Sequence, residues 1–119
     1  MAIVADLEAV NQVVTEMMRR YYGERLDRII LFGSYARGDF NEESDVDYLV
    51  VLDEENVSPF SEIAVTSAAR NAYYLETLIP ISTVVVSSSQ FAMSHRPFFK
   101  ELRKDGKLIY ERGLRPVSA

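Results

Sequence analysis

Along residues 4–22, VADLEAVNQVVTEMMRRYY, apolar side chains recur three and four positions apart. Val4, Leu7, Val10, Val14, Met17, Met18 and Tyr21 fall on one helical face. Gly23 follows as a stop signal. A small protein must bury such a stripe, so it reads as core rather than as a binding groove. The period then changes. Residues 29–32 are continuously apolar and end at glycine, which fits a buried strand. SYARGD fits a short helical turn with Ser34 at its N-cap and Gly38 closing it. FNEES is a polar loop, and DVDYLVVL reads as a second strand. Ser58-Pro59 opens a helix over 59–79 in which Ile63, Ala64, Ala68, Tyr74, Leu75 and Leu78 are apolar, and Pro80 ends it. ISTVVVSS, rich in β-branched residues, predicts a third strand. A serine-capped short helix, a helix from RPFFKELRKD stopped at Gly106, and a short strand over Leu108–Tyr110 complete the pattern.

The order α-β-α-β-α-β-α-α-β predicts an α/β (α+β) domain, a small mixed β-sheet with helices packed mainly on one face. Residues 1–112 form a single domain on this reading, and 113–119 a loose tail. A chain of 119 residues with 48% hydrophobic content supports one core. So small a domain favours a surface cleft over a large internal cavity. The net charge of −5 weighs against a broad nucleic-acid surface. With no cysteine and one histidine, disulfides and an ordinary zinc site are excluded. No apolar run approaches the ~20 residues that span a bilayer. The acidic start, MAIVADLEAV, does not read as a signal peptide, so the cytoplasm is the expected location.

One stretch asks for chemistry: FGSYARGDFNEESDVDYLVV, residues 32–51. Alternate strand residues share a face, so Asp45 and Asp47 point the same way with Cα atoms ~6.6 Å apart. Two carboxylates so placed repel unless a cation lies between them. Mg²⁺ is the natural candidate, because it takes carboxylate and phosphate oxygens together. Metal ions ~3.5–4 Å apart can hold both the attacking and the leaving oxygen in phosphoryl chemistry. Gly33 lets backbone approach a ligand, and Ser34 opens a turn whose free amides suit an anion. Either half alone is ordinary turn or strand-end chemistry, and Ser44-Asp45 can serve simply to open the strand. Together they fit Mg²⁺ and a nucleoside triphosphate.

The same residues resemble the signature of the DNA polymerase beta superfamily: Gly-Ser, about ten residues, then Asp-x-Asp before apolar residues. The Gly-Ser-x-Ala-Arg-Gly … Ser-Asp-x-Asp form is similar to the minimal nucleotidyltransferases of that superfamily, some of which act as antitoxins beside a HEPN-type partner. The resemblance implies the nucleotidyltransferase fold. It also implies Mg²⁺-dependent transfer of a nucleoside monophosphate, AMP from ATP, to a hydroxyl with release of pyrophosphate. Gly33 and Ser34 would hold the triphosphate, Asp45 and Asp47 would be the catalytic metal ligands, and Arg37 and Ser44 occupy recurrent nucleotide-binding positions. Arg37 can meet phosphate or pair with Asp39 or a loop carboxylate; both readings stay open. The superfamily's third carboxylate is expected on the next long strand, where this chain has Ser82 and Thr83. Either Asp53 or Glu76 substitutes for it, or the chain is a slow or inactive nucleotide-binding antitoxin or regulatory subunit with a helical HEPN-type partner. A chain this short implies completion of the site by a partner or by a second copy, and edge strands near the C-terminus favour a homodimer.

Other features have simpler readings. His95 is a loop residue before it is a base or ligand. Tyr73-Tyr74 and Phe98-Phe99 could stack on a base, but one member of each pair in the core and the other at an interface is simpler. Arg19-Arg20 and RKDGK are solvated helix ends.

Overall fold

A computed structural model describes residues 4–113. Beyond Gly113, the expected tail lies outside the described residues. Four strands form one sheet in the order β3-β2-β1-β4. They are β1 (Leu26–Phe32), β2 (Val46–Leu52), β3 (Ile81–Ser87) and β4 (Lys107–Glu111). β1 runs antiparallel to β2 and β4, and β2 parallel to β3, so the sheet is mixed as its alternating pattern predicted. The parallel pair is joined through the long helix α3 (Pro59–Thr77), the crossover that parallel strands require.

Strand β2 explains its own composition. Val46, Tyr48, Val50 and Leu52 enter one hydrophobic cluster, while Leu49 and Val51 enter the other. Both faces are covered, so the run is apolar without interruption except at Asp47. On the first face, Val10, Val14 and Met18 of helix α1 (Leu7–Tyr22) pack against Ile29, Leu31, Tyr48 and Val50. On the second face, Ile30, Leu49, Val51 and Val86 meet Phe99 and Leu102 of helix α5 (Pro97–Asp105), with Phe91 of helix α4 (Ser88–Met93) alongside. The two long helices share one face and the two short ones lie against the other.

Local chemistry sets the boundaries. Asp6 caps α1 by accepting a hydrogen bond from the Ala9 amide at 3.1 Å. Ser87 and Gln90 form a capping box that starts α4. Arg103 braces the α4–α5 loop, donating to the Phe91 and Ser94 carbonyls at 2.8 Å each.

The side-chain assignments differ in two places. The α1 stripe ends on Tyr22, which is buried, whereas Tyr21 is 43% exposed. The apolar residues of α3 do not define its buried face, for Ile63, Leu75 and Leu78 are exposed and Thr66 is buried. The inward side carries Glu62, Thr66, Arg70 and Tyr73 because α3 packs beside polar positions of α1. There the buried Asn11 accepts a 2.6 Å hydrogen bond from the Tyr48 hydroxyl, and Tyr22 donates to the Glu62 carbonyl at 3.4 Å. Arg70 donates within its own helix to the Ile63 carbonyl at 2.8 Å and fastens the helix to the sheet by donating to the Ile81 carbonyl of β3 at 3.4 Å.

Candidate active site

The sheet delivers its unusual residues to one end. β1 runs out at Phe32, and Gly33 takes φ +76°, a region that side chains with a Cβ rarely adopt. Its carbonyl accepts from the Ala36 and Arg37 amides at 3.1 Å each, so Gly33, not Ser34, is the N-cap of the single-turn helix α2 (Ser34–Arg37). The expected cap therefore moves one residue earlier, with Ser34 as the first helical residue. Gly38 ends the turn in the left-handed region, its amide donating to the Ser34 carbonyl at 2.8 Å. Tyr35 anchors the turn from behind: its buried ring stacks on Phe40 at 4.3 Å, and its hydroxyl accepts from the Val4 amide at 3.2 Å. One turn carries little macrodipole, so what it offers a phosphate is the Ser34 hydroxyl and the first amides.

The loop into β2 is also closed. The Asn41 amide donates to the Ser44 hydroxyl at 2.9 Å, the Ser44 amide to the Asn41 carbonyl at 3.1 Å, and the Glu43 amide to Asn41 Oδ1 at 2.8 Å. Ser44 is thus engaged in the turn, the simpler of its two readings, and fixes the backbone from which Asp45 departs. Immediately after Asp45, the Val46 amide donates to the Pro80 carbonyl at 3.0 Å, which ties the start of β2 to the start of β3. Asp45 is exposed just ahead of β2; Asp47 is half-buried at its second position, on the face shared with Leu49 and Val51.

Asp47 lies opposite Phe32 of β1 on one side and Ser82 of β3 on the other. Its carboxylate leans over Gly33. A Cβ at position 33 would overlap an Asp47 carboxylate oxygen and come within 3.2 Å of its Cγ. Gly33 is therefore required twice, for its φ and for the space above it. Burial, and after it the neighbouring charge of Asp45, push the Asp47 carboxyl up to about 6, with Arg37 acting in the opposite sense. The charges of Asp45 and Arg37 thus both reach Asp47. Arg37 also makes the predicted ion pair, its Nε 3.2 Å from Asp39 Oδ2. The ion pair is one of the two readings of Arg37, and an exposed pair of this kind contributes little. A half-buried carboxylate over a glycine cradle, with a second carboxylate near enough to raise its cost of ionisation, suits a hard divalent cation that shares the charge with phosphate oxygens.

A third acid does not join them. Among the described residues no group of three or more His, Cys, Asp or Glu side chains could hold a metal. Ser82 stands beside Asp47 where a neighbouring carboxylate would have to project. Thr83 faces the opposite way, buried in register with Tyr48. Asp53 follows the far end of β2 and pairs with Arg112 at 2.7 Å, so it cannot substitute. Glu76 is exposed near the end of α3, whose inward face packs on the other side of the sheet. His95 is exposed in the α4–α5 loop. The pattern did not reveal the part played by Pro80, since a backbone carbonyl carries no sequence signal, nor that Phe32 borders Asp47, which only strand register fixes.

Comparisons with known proteins bear on the family and the fold. Residues 10–114 match the family described as "Nucleotidyltransferase domain". A "putative protein adenylyltransferase" of Methanocaldococcus jannaschii is 35% identical over 110 residues, covering 92% of this chain and 99% of its own length. A second protein so named, from the same organism, is 45% identical over 62 residues, 52% of this chain and 61% of that relative. Among solved structures, a toxin–antitoxin complex with AMP-PNP superimposes with a TM-score of 0.64 at 16% identity, over 87% of this chain and 74% of that one. A "putative nucleotidyltransferase" from Sulfolobus solfataricus gives 0.63 at 22% identity, over 93% and 85%. A tri-AMPylated Shewanella oneidensis HEPN toxin with an MNT antitoxin gives 0.56 at 14% identity, over 87% and 72%. At these identities the structures establish a shared fold.

Proposed function

The chain belongs to the nucleotidyltransferase-domain family, and on that premise we propose that it transfers AMP from Mg²⁺·ATP to a hydroxyl acceptor, with a protein side chain as the acceptor. The observation that carries the reading is the Asp47 carboxylate over the Gly33 cradle at the start of the Ser34 turn, with the charges of Asp45 and Arg37 near enough to act on it. Asp45 and Asp47 would hold the cation, which screens the phosphate charge and polarises the α-phosphoryl group. Ser34 and the turn amides bind the outer phosphates, and Arg37 leaves Asp39 to meet them. Ser44 keeps Asp45 in place through its turn. The acceptor oxygen attacks the α-phosphorus, the bond to the bridging β-phosphate oxygen breaks, and pyrophosphate departs. The proton of the acceptor passes to a carboxylate or to water. The protein-acceptor class is supported by the relatives named as protein adenylyltransferases, one of them matched along almost its whole length.

The open character of the site supports completion by another chain. Asp45 and Arg37 are exposed, and a hollow bordered by Arg19, Arg20, Tyr110 and Arg112 lies at the other end of β1. A helical HEPN-type protein is the proposed partner and acceptor, since a structural neighbour is an antitoxin bound to an AMPylated HEPN toxin. A second copy of this chain is the alternative partner. No described helix is long and apolar enough to cross a membrane.

One observation favours a second reading, a nucleotide-binding antitoxin or regulatory subunit with little turnover. The side chain next to Asp47 is the hydroxyl of Ser82, which neither ligates Mg²⁺ as a carboxylate does nor accepts the acceptor's proton. Incubation with α-labelled ATP, Mg²⁺ and a HEPN-type protein separates the two. Label transferred by the wild type and lost in Asp45→Asn and Asp47→Asn supports transfer. Metal-dependent ATP binding with no labelled product supports the binding module.

A further inference from the structure

We propose that Phe98, seated against Phe32, is the ledge on which the nucleobase of the bound nucleotide stacks; this rests on the nucleotide-site reading above. Phe98 stands in the first turn of α5, and unlike its buried neighbour Phe99 it is 38% exposed. Its ring meets Phe32 edge-to-face at 5.3 Å and Phe99 edge-to-face at 5.2 Å, so two contacts fix its orientation. Phe32 ties this aromatic group to the site. It is the last residue of β1, directly before Gly33, its Cα is paired with that of Asp47, and its side chain packs with the same cluster as Leu49 and Val51. The exposed ring therefore stands on the sheet face that carries Asp47. A nucleotide with phosphates at Ser34 and the two aspartates has its base one ribose away, within reach of this wall.

A ring whose orientation its neighbours fix offers a ready face on which a flat group can stack. A phenyl ring reads a π-face and not a hydrogen-bonding edge, so the ledge accepts any base. The chemistry predicts an ordering of nucleotides by stacking strength, purines ahead of pyrimidines, without sharp discrimination between ATP and GTP.

The test uses the full chain with two probes, Mg²⁺·ATP and Mg²⁺·tripolyphosphate, which share phosphates and differ in the base. Phe98→Ala should weaken ATP binding by about 5- to 100-fold and leave tripolyphosphate binding unchanged. Phe98→Leu keeps apolar bulk on Phe32 and Phe99, should melt with the wild type, and should show the same selective loss. Phe98→Trp should retain ATP affinity. The chain has no other tryptophan, so its emission reports the ledge alone and should be quenched by ATP but not by tripolyphosphate. Equal loss of both probes in the Ala and Leu variants, or unchanged ATP affinity, overturns the ledge while the nucleotide site stands. A wild type that binds neither probe with Mg²⁺ overturns the site and the ledge together.

Discussion

Replacing Asp47 by asparagine should make the metal-free protein more stable at pH 8. The carboxyl is raised from 3.8 to about 6, first by burial and then by Asp45. A raised folded-state pKa means that the folded chain holds its proton longer than the unfolded one. As pH rises through the unfolded value the unfolded chain ionises first, and stability falls until the folded group has also ionised near pH 6. Each unit is worth about 1.36 kcal/mol. Two units would give about 3 kcal/mol, which solvent screening at a half-exposed side chain reduces to about 1–2 kcal/mol. In a domain of this size that is a rise of about 4–8 °C in Tm. Melting curves in EDTA at pH 8 and pH 5 read it directly. The gain should be present at pH 8 and about half as large at pH 5. Millimolar Mg²⁺ should raise the Tm of the wild type and not that of the variant. An asparagine variant that is less stable at pH 8, or whose difference is the same at both pH values, refutes the electrostatic reasoning.

Gly33→Ala should destabilise the fold by about 1–3 kcal/mol through its φ and cut Mg²⁺·ATP affinity more than tenfold, because the new Cβ displaces the Asp47 carboxylate; calorimetry and a melt measure both. Removing the guanidinium in Arg37→Met should push the Asp47 carboxyl higher still, seen as an upward shift in its NMR titration. Tyr48→Phe should cost about 1–3 kcal/mol in urea unfolding, since it leaves the buried Asn11 oxygen without the hydroxyl that donates to it. Ser44→Ala should weaken Mg²⁺ binding several-fold with a loss of about 0.5–1.5 kcal/mol in stability, as the 41–44 turn loses one closing bond.

Much of this architecture was legible because strand and helix periods differ. The order of elements came from alternation alone; of the two aspartates read as one strand face, Asp47 lies in β2 and Asp45 just ahead of it. Boundaries were less so. β1 begins at Leu26 rather than near residue 29, because Asp27 and Arg28 are polar yet belong to the strand, Asp27 at an irregularity in its pairing with β2. The Asp27 carbonyl accepts from the Arg112 amide at 2.9 Å, and Arg28 pairs with Glu111 across the sheet. Helix α3 misled because its apolar residues outnumber the places the sheet has for them. Its inward side carries the buried Thr66 and Arg70, which reaches the Ile81 carbonyl of β3, a tertiary contact that composition does not carry. The site was legible as a set of residues but not as a set of partners. Nothing in the local pattern places Ser82 beside Asp47, or Phe98 beside Phe32; the parallel register and the return of α5 across the sheet do.

The most direct test of the site is a calorimetric titration of ATP into the protein with Mg²⁺ and then with EDTA. The account predicts binding by the wild type with Mg²⁺ only, and affinity at least about tenfold lower in Asp45→Asn and Asp47→Asn, the equivalent of about 1.4 kcal/mol. ATP binding that survives EDTA undiminished, or that both asparagine variants retain, would contradict it.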